Sequence, residues 1–167
     1  MGASSWSYFV PFQDDVNEAL QELRRNVFQN DEYYTEAKFL TSMLNEKGVR
    51  ERLSPESIQR FQDRMMQLRD QPPPSTIQEL MQINGDSGTH SIIDIQGVSE
   101  RPEFRKISPL PSQILVKLFG TERPIREIVE QKISEIQVLC GTWQGVYVIV
   151  FQNDLPSEIL FTGVSGD

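Results

Sequence analysis

The stretch at residues 145–164 constrains the fold of this chain more than any other part of the sequence. Two runs rich in β-branched and aromatic residues flank a short polar linker that includes Asn-Asp and Pro, a pattern typical of a β-hairpin. Two sets of apolar side chains in the first run point to opposite sides, Val146, Val148 and Val150 to one and Tyr147, Ile149 and Phe151 to the other. A strand that is apolar on both faces belongs inside a sheet that is covered on both sides, by helices or by a partner.

The remaining apolar patterns predict an α+β fold with about four strands, at least partly antiparallel, and five to six helices. Besides the hairpin, strands are predicted at residues 6–12 and 89–95, and the first of them is expected to pair with the hairpin or with 89–95. The clearest amphipathic helix follows Asp14 or Asp15, either of which can cap it. Residues 97–111 contain three prolines and are predicted to be irregular.

The length of 167 residues favours a single domain, because it is enough to bury a substantial core. The run of three prolines within residues 71–75 is a candidate internal boundary, although a loop inside one domain at 1–167 is the preferred interpretation. Just after it, Ser75 and Gln78 have the spacing of a capping box at the start of a short helix.

The net charge of −8 argues against nucleic-acid binding, which needs clustered Lys and Arg, and against an anionic membrane surface. The only cysteine, Cys140, cannot form an internal disulfide, which favours a reducing compartment. The first residues lack the basic and apolar regions of a signal peptide, and no apolar run is long enough to span a membrane. We therefore expect a cytoplasmic, soluble, acidic protein.

Few residues are candidates for catalysis. His90 is the only histidine, and on the predicted strand it shares a face with Asp94, although roughly 13 Å of extended chain would separate the two. Cys140 paired with His90 is formally possible as a nucleophile and base, but a lone cysteine is more often a small core residue. One histidine and one cysteine do not make a zinc site, and no acidic loop has calcium-binding spacing, so neither a metal nor a cofactor is predicted.

The last part of the chain offers candidate partner-binding residues instead. Residues 133–167 contain four acidic residues and no Lys or Arg, which predicts either a solvated acidic end or a surface for a basic partner. Asp154 and Glu158 lie in or beside the hairpin turn and should be near solvent. Trp143 lies in a loop between Gly141 and Gly145, where its indole closes the sheet edge or faces a ligand.

Three local patterns occur together: residues 8–12 (YFVPF), residues 90–95 (HSIIDI) and residues 118–124 (LFGTERP). In these the chain resembles a group of small bacterial proteins with the same layout and a similar final hairpin. The resemblance covers most of the chain and implies no catalytic or binding residue. As an acidic α+β domain the chain is also similar in general character to the immunity proteins that neutralise bacterial toxins.

These observations favour a non-enzymatic protein-interaction module, of the inhibitor, immunity or accessory-subunit type, that binds a more basic protein partner. An alternative is a small-molecule-binding or enzymatic domain with a pocket near His90 and Trp143, to which Asp94 and Cys140 would also contribute. A third is a structural subunit that oligomerises through a sheet edge. An enzyme should show a concave pocket with His90 or Cys140 exposed in it, whereas a binding module should show a flat acidic or apolar patch.

Overall fold

The computed structural model describes residues 4–46, 48, 51–69 and 72–166. Its centre is one mixed sheet of five strands, in the order β1-β5-β4-β3-β2. The strands are β1 (Ser4–Pro11), β2 (Gly97–Val98), β3 (Lys106–Pro109), β4 (Gln144–Gln152) and β5 (Leu155–Ser165). The pairs β1–β5 and β5–β4 are antiparallel, and β4–β3 and β3–β2 are parallel. The α+β class with a partly antiparallel sheet and a C-terminal hairpin is confirmed, and the strand number is five where four were predicted.

Six α-helices lie in the described residues, in agreement with the predicted five to six. They are α1 (Val16–Gln29), α2 (Glu36–Asn45), α3 (Pro55–Arg69), α4 (Ile77–Asn84), α5 (Ser112–Phe119) and α6 (Arg126–Val138). Two short 3-10 helices, Gly85–Ser87 and Ile92–Asp94, follow α4.

The hairpin is formed by β4 and β5, and β4 lies in the interior of the sheet as its two apolar faces predicted. The turn consists of Asn153 and Asp154, both with positive φ (52° and 62°), as a tight two-residue hairpin requires. Pro156 lies inside β5, opposite Phe151, at the point where the register shifts by a bulge. The turn is therefore shorter than the polar linker predicted from the sequence, because a bulge accommodates the proline inside β5.

One face of the sheet is covered by α1 and the segment around Ile92–Asp94. Asp15 begins α1 by accepting hydrogen bonds from the N–H groups of Asn17 and Glu18, which confirms one of the two predicted caps. The buried apolar side chains on this face are Trp6, Ala19, Leu20, Leu23, Val27, Leu80, Ile92, Ile93, Ile95, Ile107, Ile159 and Phe161. Tyr147 and Ile149 of β4 pack against them.

The other face is covered by α5 and α6. Its buried apolar side chains are Leu110, Phe119, Val129, Ile136, Val146, Val148, Val150 and Leu160. Gly120 ends α5 in the left-handed conformation (φ 75°), which glycine adopts readily at helix ends. The valines of β4 thus face one helical layer while Tyr147 and Ile149 face the other, so both apolar faces are used.

The predicted strand at 89–95 is wrong. His90 has a positive φ (52°), Ile92–Asp94 forms a 3-10 helix, and the Ser91 hydroxyl accepts a hydrogen bond from the N–H of Ile93. Side chains here satisfy backbone groups that a strand would have paired, so a short buried apolar run adopts a loop. The strands lie instead in residues 97–111, which were predicted to be irregular: β2 and β3 extend the sheet beside β4.

Two other predictions can be compared with the structure. The first strand pairs with the hairpin along its whole length, from Ser4 opposite Ser165 to Pro11 opposite Glu158, which confirms one of the two predicted pairings. The cap of α4 is Thr76, one residue after the predicted Ser75, and its hydroxyl accepts from the N–H of Glu79. Gln71, the first residue of the candidate boundary, lies outside the described residues.

Candidate functional site

A buried carboxylate, Asp94, lies where β5 ends. It is only 2% exposed and accepts hydrogen bonds from the N–H of Thr89 (2.8 Å) and the hydroxyl of Ser165 (2.7 Å). The hydroxyls of Thr89 and Ser91, also buried, are joined by a hydrogen bond of 2.8 Å. Asp94 therefore fastens the loop at 85–95 to the last strand, and it is enclosed by protein.

His90 reaches the same end of the sheet through a different partner. A 2.6 Å hydrogen bond joins its Nδ1 to the hydroxyl of Ser4, the residue opposite Ser165 in the register of β1 and β5. Its ring stacks on Tyr34 with ring centroids 4.3 Å apart. His90 and Asp94 thus contact two adjacent serines of one sheet end, and the extended separation expected from a strand does not apply.

Trp143 and Asp94 both lie close to the backbone of Gly88. Trp143 has a positive φ (62°), and a Cβ added to Gly88 would lie 2.5 Å from its Cη2 atom and 3.0 Å from Oδ2 of Asp94. Only a glycine lets the indole and the carboxylate approach this closely. The indole is half-buried and packs over the loop, so the structure brings together two of the predicted pocket residues, Trp143 and Asp94.

Cys140 lies elsewhere. It follows α6 and packs against the second apolar cluster, on the opposite side of the sheet from Ile92 and Ile93. Its Sγ is 3.7 Å from the carbonyl oxygen of Ile136, and burial raises the pKa of the thiol from 9.0 to about 11. The thiol is therefore protonated at neutral pH, and the structure does not bring it together with His90.

The two acidic hairpin residues differ in environment. Asp154 is exposed in the turn, whereas Glu158 is partly buried and forms an ion pair with Arg126. Arg126 also bonds Glu130 (2.8 Å), and its guanidinium lies 4.2 Å from the centre of the Phe9 ring. A cation therefore balances the charge of Glu158, which leaves Asp154 as the more available of the two.

A more strongly acidic surface lies at the start of α1. Asp14, Asp15, Glu18 and Glu22 are all exposed, and none of them forms an ion pair within the described part of the chain. Asp15 is occupied as the cap and Glu22 accepts a hydrogen bond from the amide of Gln13. Four carboxylates within nine residues are a visible signal in the sequence, although this stretch was interpreted there only as a helix start.

Sequence reasoning also missed Arg24, a buried arginine on α1. It is 9% exposed, and its Nη1 donates to Oε1 of Gln21 (2.7 Å) while its Nη2 donates to the carbonyl oxygen of Ile93 (3.1 Å). Its Nε is buried and has no hydrogen-bond partner. The signal was its spacing, four residues after Leu20 and three before Val27, which puts it on the apolar stripe of the helix.

The pKa of Arg24 reflects this burial. Loss of hydration lowers it from the ordinary value, and the negative charge of Asp94 opposes the change. Across a surface cleft from Arg24 lies Arg105, whose guanidinium packs 4.9 Å from the Trp143 ring centre and 5.4 Å from that of Phe104. Its Nε is also buried without a hydrogen-bond partner.

Within the described ranges no three His, Cys, Asp or Glu side chains are grouped so as to hold a metal ion. None of the helices described has the length and apolar character needed to cross a membrane. No protein-family model matches the chain, and neither a curated protein nor a solved structure matches it significantly. The resemblance to a group of small bacterial proteins, and the general likeness to immunity proteins, therefore stay predictions.

Proposed function

We propose that the protein is a non-enzymatic interaction module, an inhibitor or accessory subunit that binds a more basic protein partner. The observation that carries the proposal is the acidic start of α1, defined by Asp14, Asp15, Glu18 and Glu22, which is exposed and free of ion pairs among the described residues. The opposite side of α1 is fixed by Ala19, Leu20 and Leu23 in the core. The carboxylates are thus presented on a rigid element.

Charge of this kind acts mainly on the rate of association. Exposed carboxylates attract a basic partner over distances of about 8 Å at physiological salt, and they speed encounter more than they slow release. The net charge of −8 extends the same attraction over the whole molecule. A positively charged toxin or enzyme surface is the kind of partner that such a field favours.

The hairpin residues Asp154, Glu158 and Trp143 are a second possible location for the interface. Because Arg126 balances Glu158 and Trp143 packs over Gly88, this surface has less free charge than the start of α1. We therefore assign the principal contact to α1 and let experiment compare the two surfaces.

The test is capture of the partner from the native host, its identification by mass spectrometry, and measurement of the association rate over a salt series. Replacing Asp14, Glu18 and Glu22 by their amides should lower the association rate on the order of tenfold at low salt and little at high salt. Asp15 is left unchanged because it caps α1.

A matched control removes three exposed carboxylates in and just before α3, with Glu51, Glu56 and Asp63 changed to their amides. This control should associate almost as fast as the parent, because the net negative charge decreases equally in both variants but the contact surface is intact in the control. Asp154→Lys with Glu158→Lys tests the hairpin. If only that variant slows association, the interface lies at the hairpin. A partner that is not basic, or a rate independent of salt, would contradict the proposal as a whole.

A further inference from the structure

A cleft of about 520 Å³ opens between α1, α4 and the residues that immediately precede β2 and β3. Two arginines line it, Arg24 from α1 and Arg105 from the segment before β3. Three glutamine side chains complete its polar lining: Gln78, Gln82 and Gln96. None of the described residues that line the cleft carries a carboxylate.

The charges of these two arginines are not balanced by contact. Neither forms an ion pair within the described ranges, whereas Lys38, Arg64, Arg126 and Lys132 each do. Asp94 influences Arg24 electrostatically but bonds Thr89 and Ser165 instead. Arg24 is a buried cation without a contacting counter-ion among the described residues, which is costly, and the half-buried Arg105 has a buried Nε without a partner there. In an acidic protein, two such unpaired guanidinium groups facing one cleft favour the binding of an anion.

Both guanidinium groups are held in place before any ligand arrives. Arg24 is fixed by Gln21 and by the carbonyl oxygen of Ile93. Arg105 is stacked against Trp143 and Phe104. Each guanidinium has five N–H donors, and these contacts use only some of them. Ordering the side chains in advance reduces the entropy that binding would otherwise lose.

The backbone holds the two sides of the cleft together as well. The N–H of Gln96 donates to the carbonyl oxygen of Arg105 (2.8 Å), and the side-chain amide of Gln21 donates to the carbonyl oxygen of Gln96 (3.3 Å). Gln96 is thereby fixed next to Arg105, where its amide can donate to the same ligand. Ile77 and Met81 of α4 supply an apolar wall.

We infer that this cleft binds a small organic anion through a carboxylate or phosphate group held between Arg24 and Arg105. The guanidinium fork matches both groups, and the glutamine amides can donate to further oxygens. The cleft is shallow and open to solvent, so it has room for a small anion, and the apolar wall accommodates a short carbon skeleton. The inference is independent of the proposed partner on α1, and it places the small-molecule alternative of the sequence analysis beside Trp143 instead of at His90.

Isothermal titration of the full chain with inorganic phosphate and with succinate, at low ionic strength and with chloride as the control salt, tests the inference. At least one of the two anions should bind saturably. Arg105→Gln should weaken that binding by about tenfold or more, since a hydrogen bond to a charged group contributes about 1.5–3 kcal/mol. Arg101→Gln, an exposed arginine of the same connection, should leave it unchanged.

The two anions also distinguish the ligand classes. Binding of phosphate alone indicates a phosphorylated ligand, and binding of succinate alone indicates a carboxylic acid. If the Arg105→Gln protein is unfolded by circular dichroism, NMR of the parent replaces it. The Nε–H resonances of Arg24 and Arg105 should then shift with the titrating anion more than that of Arg101.

Three results would overturn the inference: no saturable binding of either anion, equal binding by the parent and Arg105→Gln, or an equal loss in Arg101→Gln. The last would mean that the anions respond to general positive charge. Capture of a basic partner should be unaffected in Arg105→Gln, so failure of this inference is distinguishable from failure of the proposed function.

Discussion

The two faces of the sheet are covered in different ways. On one face, α5 and α6 pack regular apolar stripes on the valines of β4. On the other, α1 shares the cover with an irregular loop at 85–95, whose hydrogen bonds depend on its own side chains. Among the described residues, the only buried charged side chains, Arg24 and Asp94, both belong to the second arrangement.

This difference suggests that the two faces have different roles: the helix-covered face stabilises the fold by apolar packing, and the loop-covered face also supplies polar groups. A face made of regular helices satisfies its backbone internally and needs only apolar packing, which leaves no reason for a buried charge. In a face covered by a loop, polar side chains must form the hydrogen bonds that the backbone of the loop lacks. Such a face therefore contains polar and charged side chains close to the surface. The cleft with Arg24 and Arg105 accordingly lies next to the loop-covered face.

The largest effects should come from placing a charge in either layer. Val148 and Ile149 are neighbours on β4 and face opposite layers. Val148→Asp should destabilise the fold by more than about 4 kcal/mol, and Ile149→Asp by somewhat less because Ile149 is partly exposed. Thermal melts followed by circular dichroism measure both.

Leu155→Asp is the matched control, because Leu155 belongs to the same hairpin and is 69% exposed. Its melting temperature should stay close to that of the parent. If either core variant had the melting temperature of the parent, the corresponding apolar layer would be peripheral. The conclusion that the fold needs both layers would then be wrong.

The loop-covered face depends on one carboxylate. Asp94→Ala leaves the Thr89 N–H and the Ser165 hydroxyl without their acceptor and removes the opposite charge that acts on Arg24. We expect a loss of about 3 kcal/mol in urea denaturation. Asp86→Ala, an exposed residue of the same loop, should change stability by less than about 0.5 kcal/mol. Equal stabilities of the two variants would show that the loop is held by apolar packing alone.

The same contrast explains what the sequence could predict. The hairpin, the helix start at Asp14 or Asp15 and the number of helices follow local rules, so periodicity and capping residues predicted them. The segment 89–95 does not follow such rules. Its β-branched residues suit a strand, but Asp94 and Ser91 bind nearby N–H groups and Ser165 provides a distant anchor that no local pattern reveals.

The candidate sites show a similar division. Asp94 and Trp143 were named from the sequence, but their proximity depends on Gly88, whose role only the fold shows. Arg24 carried a readable signal, since its position on the apolar stripe of α1 predicts burial. Its partner across the cleft, Arg105, lies 81 positions further along the chain, and no spacing rule connects them.

A moderate effect should come from the glycine that separates Asp94 from Trp143. Gly88→Ala combines a positive φ (68°) with a contact of 2.5 Å to the indole, whereas Gly85→Ala has a positive φ (52°) and open space around it. We expect a loss of about 1 kcal/mol for Gly85→Ala and about 2 kcal/mol for Gly88→Ala.

Tryptophan fluorescence distinguishes the two glycine variants further. Only Gly88→Ala should shift the emission, because the indole of Trp143 must move away from the new methyl group. Identical spectra and stabilities would mean that Trp143 does not close this side of the loop.

The smallest effect on the fold should come from Cys140, on the helix-covered face. Cys140→Ser should cost about 1 kcal/mol, because a hydroxyl replaces a thiol in partly buried, apolar surroundings. Burial of the thiol has a sharper consequence for its chemistry. A pKa near 11 instead of 9.0 makes its thiolate fraction at pH 8 about a hundredfold smaller, since each unit is tenfold.

Iodoacetamide modification, followed by mass spectrometry, should therefore be slow in the native protein at pH 8 and accelerate until the pH passes about 11. The urea-unfolded chain is the control and should reach half of its maximal rate near pH 9. Because the folded state holds this proton more tightly, its stabilising effect is complete below pH 9 and is lost as the pH rises towards 11. A native thiol that reacts as fast as the unfolded one at pH 8 would show an exposed, activated Cys140, and the helix-covered face would then have a reactive site of its own.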